Sequence, residues 1–262
     1  MHLADLDREL RDIMDTLEGR ASVAVSTPEG DIEVNAGDRL PAASLIKIPI
    51  LLEAFRQAES REVDLDAPVP VSPGEKVGGT GVLTRLSDGL TLPLRDLMTL
   101  MIIVSDNTAT NLVIDTVGMD RVNELCRELG AHSTLLDRRL MDLEARQAGH
   151  DNYTSTSDMV LLLREIAEGD LVSAKSRQEM VGILQGQQFN TKLPAMIPSG
   201  VPGDPVLAHK TGELPGVEHD AAIFVRDDSN VYVAGMLTEL EDNRLGWDTL
   251  ARIGRAVYDY MQ

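Results

Sequence analysis

Ser44-Leu45-Ile46-Lys47 places a hydroxyl and an amine three residues apart. On a helix that spacing puts both side chains on one face. Ser44 would sit at the helix start, where free N–H groups and the helix dipole favour negative charge. A serine hydroxyl is a poor nucleophile until a base takes its proton. Lys47 lies in an apolar run with Ile46, Ile48, Ile50, Leu51 and Leu52. Burial there would lower its pKa and make it a possible base. The ordinary alternative is an N-cap serine and a lysine whose stem lies along apolar surface.

Ser105-Asp106-Asn107 follows the apolar segment 97–104 and opens the next helical pattern. Ser105 could pass a proton to a leaving group, and Asn107 could hold a substrate carbonyl or orient Lys47. A plain helix cap uses the same residue types. Lys210-Thr211-Gly212 lies on an expected strand, 207–213. Lys210 and Thr211 could grip a substrate carboxylate, and Gly212 would admit a substrate backbone. A strand end with a turn glycine would look the same.

The elements around these motifs follow from periodicity. Residues 3–18 place Leu3, Leu6, Leu10, Ile13, Met14 and Leu17 on one helical face. Segments 21–26 and 31–35, joined through Pro28-Glu29-Gly30, predict a hairpin. Helical patterns occupy 44–58, 93–104, 106–117, 119–129, 156–168 and 173–184. Strands at 221–226 and 231–238, joined by Asp227-Asp228-Ser229-Asn230, precede a last helix at 243–261. The expected fold class is therefore α+β, an antiparallel sheet flanked by terminal helices plus an all-helical lobe. The expected lobes are 1–38 with 187–262, and 39–186, with the active-site cleft between them.

Composition narrows the function classes. The 262 residues carry 24 Lys+Arg against 43 Asp+Glu, a formal net charge of −19. That balance argues against nucleic acid and anionic membranes as partners. Only five of the cations are lysines, which fits either a high-salt protein or a GC-rich genome with ordinary acidity. The single cysteine, Cys126, excludes an internal disulfide and a cysteine-based metal site. His2, His132 and His150 make no metal-ligand spacing. No cofactor or metal is expected. No apolar stretch reaches the ~18 residues of a membrane span. Residues 2–20 are charged and amphipathic, so the chain as written reads as cytoplasmic, or as secreted or periplasmic if a leader has been removed.

Together the three motifs, 61 and then 105 residues apart, resemble the signature of class A β-lactamases and related penicillin-interactive serine enzymes. Gly78-Gly79-Thr80-Gly81-Val82-Leu83 and the run from Met101 to Asn111 extend the match, from about residue 20 to the C-terminus. The resemblance implies a β-lactamase-like fold and a serine acyl-hydrolase. Ser44 would be acylated, Lys47 would activate it, and Ser105 would relay a proton to the leaving group. Lys210 and Thr211 would anchor the substrate carboxylate. The N–H groups of Ser44 and Glu213 would form the oxyanion hole. Implied substrates are β-lactams, small esters or cell-wall-type peptides bearing a carboxylate.

One departure stands out. Class A β-lactamases carry a loop glutamate that activates the deacylating water. Here Leu140 or Met141 falls at that place, depending on which of Arg138 and Arg139 matches the family arginine. Asp142 is one position late and Glu144 further off. Asp142 could still serve, or could simply pair with Arg138 or Arg139. Two rivals follow: a binding or sensor protein acylated without turnover, and an esterase or peptidase merely inhibited by β-lactams. Of the weaker candidates, His209 should point away from the face of Lys210. His219-Asp220 reads as a solvated loop at the cleft mouth. Arg244 and Arg252 could lend positive charge to the cleft or pair on the surface. Cys126 reads as an inert buried thiol.

Overall fold

The computed structural model describes residues 1–198, 203–226 and 229–262. Helix α1 (Leu3–Asp15) leads into β1 (Arg20–Thr27) and β2 (Gly30–Val34). β3 (Leu40–Pro41) and a 3-10 turn, Ala43–Ile46, precede α2 (Lys47–Glu59). Next come β4 (Pro68–Val71), β5 (Leu90–Pro93), α3 (Leu94–Ile103), α4 (Asn107–Val117) and α5 (Met119–Leu129). Then follow α6 (Leu143–Gln147), β6 (Tyr153–Thr154), α7 (Thr156–Glu168) and α8 (Ala174–Gln185). β7 (Val206–Leu214), β8 (Val217–Arg226), β9 (Ser229–Thr238) and α9 (Asn243–Met261) complete the chain.

The main sheet is antiparallel in the order β2-β1-β9-β8-β7, so the first and last strands of the sequence share one layer. Alternation along each strand decides which residue faces which layer. Val23, Val25, Ala222, Phe224, Val231 and Val233 pack with Leu6, Leu10, Leu250, Ile253 and Val257 of α1 and α9. Ala24, Ala221, Ile223, Tyr232 and Ala234 face the other way, into a larger core with α2, α3, α4, α5 and α7. Helix α2 is buried nearly all round, and Ile48 through Phe55 are buried, as a central helix requires.

The periodic elements lie where the spacing predicts them, within a residue or two at most ends; β8 starts four residues early. The middle of the chain also holds two short ribbons, β4 with β5 and β3 with β6, that periodicity did not show. Two- and four-residue strands are too short to display alternation. Of the expected second hairpin turn, Asp227 and Asp228 lie outside the described residues, while Ser229 pairs with Arg226.

Candidate active site

Ser44 lies in the 3-10 turn that leads directly into α2. Its neighbour Ala43 has φ of 45°, a left-handed conformation that costs a non-glycine residue energy. Lys47, the first residue of α2, is fully buried. It does not reach Ser44 directly. Its Nζ donates to Ser105 O at 2.8 Å, Ser105 Oγ at 2.9 Å and Asn107 Oδ1 at 3.0 Å. Ser105 Oγ in turn donates to Ser44 Oγ at 2.9 Å. The amine and the Ser44 hydroxyl are thus joined through one further hydroxyl.

Ser105 is held in place by the start of α4. Its own φ is 53°, again left-handed. Asp106 caps α4, accepting from Ala109 N at 2.9 Å, and its second oxygen accepts from Val82 N at 2.6 Å and Leu83 N at 2.8 Å. The capping role of the triplet is therefore real, and it falls to Asp106 alone. Ser105 and Asn107, on either side, are free to face Lys47. Gly81 permits the close approach, because a Cβ there would lie 2.4 Å from Asp106.

The third wall is β7, an edge strand of the sheet. Lys210 is fully buried and donates to Ser105 Oγ at 3.1 Å and to Thr211 O at 2.8 Å. Ser105 Oγ therefore meets both lysines and the nucleophile. Gly212 sits in a tight space, since a Cβ would lie 3.2 Å from the Cβ of both Ala43 and His219. That contact brings β7 against the Ser44 turn. Glu213 lies at the exposed end of the strand and lines the cavity.

Two buried ammonium groups close together cannot both keep ordinary pKa values. Burial, reinforced by the charge of Lys210 and opposed by Asp106, holds Lys47 well below the usual lysine range. Burial and the nearby charge of Lys192 bring Lys210 down to about 7, against the pull of Asp220. A lysine in these surroundings is available as a neutral base near neutral pH.

The fourth wall is the loop before and through α6. Asn111 grips Leu140 at both ends of its backbone, accepting from Leu140 N at 2.8 Å and donating to Leu140 O at 3.1 Å. Arg138 is held by Asp151, Nε to Oδ1 at 2.9 Å. Asn152 Oδ1 accepts from Asp137 N at 2.8 Å and Arg138 N at 3.1 Å. Asn152 O also accepts from Ala42 N at 2.8 Å, which ties the loop to the nucleophile turn. A cavity of about 530 Å³ lies between these walls, lined by Ser44, Asn107, Leu140, Met141, Leu143, Glu213 and Leu214 among others.

Several expectations are corrected. Asp142 does not pair with Arg138 or Arg139; its Oδ1 caps α6 by accepting from Ala145 N at 2.9 Å. Arg139 instead bonds Glu75 and Asp115, both at 2.8 Å. His219 and Asp220 are not a solvated loop but interior residues of β8. His219 Nε2 lies 2.9 Å from Pro41 O, and burial lowers its pKa to about 4. Asp220 lies 3.0 Å from His209 Nδ1, a buried pair on the opposite face from Lys210. Arg244 is spent on Asp242 at the surface, and Arg252 bonds Thr16. Cys126 is buried as expected, which raises its pKa to about 12 and leaves it inert.

Three participants escaped the sequence reading: Asn111, Asn152 and Lys192. Asn111 follows Asn107 by one helical turn, so its place on the same face of α4 was legible. Asn152 and Lys192 carry no local signal, because tertiary contacts alone assign them. Among the described residues no three metal-capable side chains cluster, and no helix is long and apolar enough to cross a membrane.

A family model described as the beta-lactamase enzyme family matches residues 5–261. A β-lactamase of Bacteroides uniformis is 24% identical, covering 99% of this chain and 92% of its own length. The β-lactamase OXY-2 of Klebsiella oxytoca is 28% identical, over 85% of this chain and 77% of its own. Among solved structures, a β-lactamase from Sphaerobacter thermophilus superposes with a TM-score of 0.89 at 30% identity, over 99% of this chain and 98% of that one. PBP-A superposes at 0.87 with 27% identity, covering 99% of this chain and 96% of its own. A leucine-to-glutamate variant of PBP-A, an acyl-enzyme complex with penicillin G, superposes at 0.87 with 26% identity, over 99% and 97% of the two chains.

Proposed function

The chain belongs to the beta-lactamase enzyme family and is a serine hydrolase of that kind, and from that premise we propose that it forms an acyl-enzyme on Ser44 and releases it slowly. The observation that carries the first half is the chain Lys47 Nζ, Ser105 Oγ, Ser44 Oγ, with links of 2.9 Å each. A neutral amine has two N–H donors and one lone pair. Ser105 O and Asn107 Oδ1 accept only, so they use both donors. The lone pair then faces Ser105 Oγ, whose hydrogen turns from Ser44 Oγ to Lys47 Nζ so that Ser105 accepts from Ser44 instead. When Ser44 attacks a carbonyl, its proton passes to Ser105 Oγ as the Ser105 proton passes to Lys47. Lys47 then returns its proton to Ser105 Oγ as Ser105 gives its own to the leaving nitrogen or oxygen, and Lys47 is neutral again.

The other roles are those the family resemblance implies. The N–H groups of Ser44 and Glu213 form the oxyanion hole, each worth on the order of 3–4 kcal/mol if removed. Lys210 and Thr211 anchor a substrate carboxylate beside Gly212, and Asn107 orients Lys47 and meets the acyl group. The cleft separates residues 39–186 from residues 1–38 and 187–262. Substrates are small carboxylate-bearing β-lactams, esters or peptides, with an apolar acyl group against Leu140, Met141 and Leu143.

Slow release rests on the loop. Leu140, held by Asn111, presents no carboxylate to the cavity, and Asp142 is engaged as a helix cap. The cavity carboxylates are Asp151, committed to Arg138, and Glu213. The PBP-A variant supports the reading, since a relative of this shape takes penicillin G as an acyl group. The same loop favours a second reading, a protein acylated without turnover. Intact-mass spectrometry over time with benzylpenicillin tests both. An adduct on Ser44 that decays over minutes or longer is expected. A permanent adduct selects the second reading, and no adduct overturns both.

A further inference from the structure

A third lysine lies behind the oxyanion hole. Lys192 is buried, and its Nζ donates to Gly212 O at 2.8 Å and to His219 O at 3.2 Å. Gly212 and His219 are register partners on β7 and β8, so one amine bridges the carbonyls of a strand pair from one side of the sheet. Its position is fixed by Glu218, a fully buried carboxylate in contact with Nζ. Glu218 also accepts from Asn243 Nδ2 at 2.7 Å. Asn243 donates to Leu214 O at 2.9 Å and accepts from Gly216 N at 2.9 Å, which pins the β7–β8 turn.

The Gly212 carbonyl and the Glu213 N–H belong to one planar trans peptide and point in opposite directions. The carbonyl points in, toward β8 and Lys192. The N–H therefore points out, off the free edge of β7, toward the cavity that Glu213 lines. We propose that Lys192 is a positioning residue for the acyl-transfer reaction. It orients and polarises the Gly212–Glu213 peptide, so that the Glu213 N–H is a stronger and better-aimed donor to the oxyanion. Hydrogen bonds in series strengthen one another, and a cation on the carbonyl end draws electron density from the N–H end. Neither the amine nor its counter-carboxylate lines the cavity. Few lysines occur in this chain, and three of the five, Lys47, Lys192 and Lys210, are buried in and behind this site.

The inference rests on the proposed acylation of Ser44, and the test separates the two. Benzylpenicillin labelled with 13C at the β-lactam carbonyl is added to the full-length protein, and the acyl-enzyme ester stretch is read by infrared difference spectroscopy. Acylation rate constants and substrate dissociation constants are measured in parallel. Lys192→Met should raise the ester stretching frequency, reflecting a weaker oxyanion donor. It should slow acylation by about two- to eightfold with the dissociation constant unchanged, as expected from losing roughly 10–30% of one donor's strength. Because Lys192→Met leaves the buried Glu218 charge without its cation, the double variant Lys192→Met/Glu218→Gln removes the charge mismatch. It should recover melting temperature while keeping the raised frequency. Lys192→Arg, which keeps a cationic donor, should restore part of the rate. An unchanged ester frequency and acylation rate in the stable double variant overturns the role of Lys192. A wild-type protein that takes no acyl group on Ser44 overturns the parent reading and this one with it.

Discussion

The two walls of the cavity are built on opposite plans. On the nucleophile side, α2, the start of α4 and β7 bury two lysines around a single hydroxyl, and each amine has oxygen partners within 3.1 Å. On the loop side, residues 137–152 turn Leu140, Met141 and Leu143 toward the cavity and spend their charged groups on holding the loop itself. A desolvated, fully bonded polar cluster is costly to assemble and is kept where charge must move. An apolar wall excludes water and offers it no base. On the proposed reading, the contrast is between a side that serves acylation fully and a side that leaves deacylation without its base.

The largest effect should come from the nucleophile wall. Ser44→Ala should abolish adduct formation while leaving the melting temperature close to that of the parent. Peptide mapping that places the acyl group on Ser105 or Thr211 would overturn the assignment. Lys47→Arg should slow acylation by about 10²–10⁴-fold, because a guanidinium stays charged and cannot accept the proton. Stopped-flow acylation near the parent rate would remove Lys47 from the base role.

The complementary change on the loop wall is Leu140→Glu. A carboxylate there, held by the Asn111 clamp, should speed adduct release toward the roughly 10²–10⁴-fold that a general base supplies. The decay of the adduct mass peak reads it directly. Met141→Glu, at a residue with φ of 64°, should do less. Equal acceleration by the two would show that the clamp does not set the geometry.

Smaller is the pH effect. Lys210, with a pKa lowered to about 7, binds a carboxylate only when protonated. KM for a carboxylate-bearing ester should therefore rise about tenfold per pH unit above that value. The methyl ester of the same substrate should show no such limb. The burial penalty on the Lys210 charge is present in full below pH 7 and relieved as pH rises from there toward the unfolded lysine value. On this account alone stability should increase across that window.

The smallest expected effect is that of Asp142→Asn. Asparagine caps a helix about as well as aspartate, so stability should hold, and adduct release should not slow. A clear slowing would make Asp142 the deacylating base after all and narrow the contrast between the two walls.

Much of this was legible in the chain itself. The long periodic elements, the antiparallel terminal sheet and the three motifs all lie in local residue patterns, because helix and strand spacing are properties of consecutive residues. That neither Leu140 nor Met141 carries a carboxylate could be read from the chain as it stands. Three things depended on tertiary structure. The first is that Lys47 meets Ser44 only through Ser105, across a separation of 61 residues. The second is that His219-Asp220 is strand interior, since a short Pro215-Gly216 turn folds β8 straight back onto β7. The third is the use of single polar residues such as Asn111, Asn152 and Lys192. A buried polar group takes its role from whichever distant partner satisfies it. Residue order sets what such a group can bond, and only packing decides what it meets.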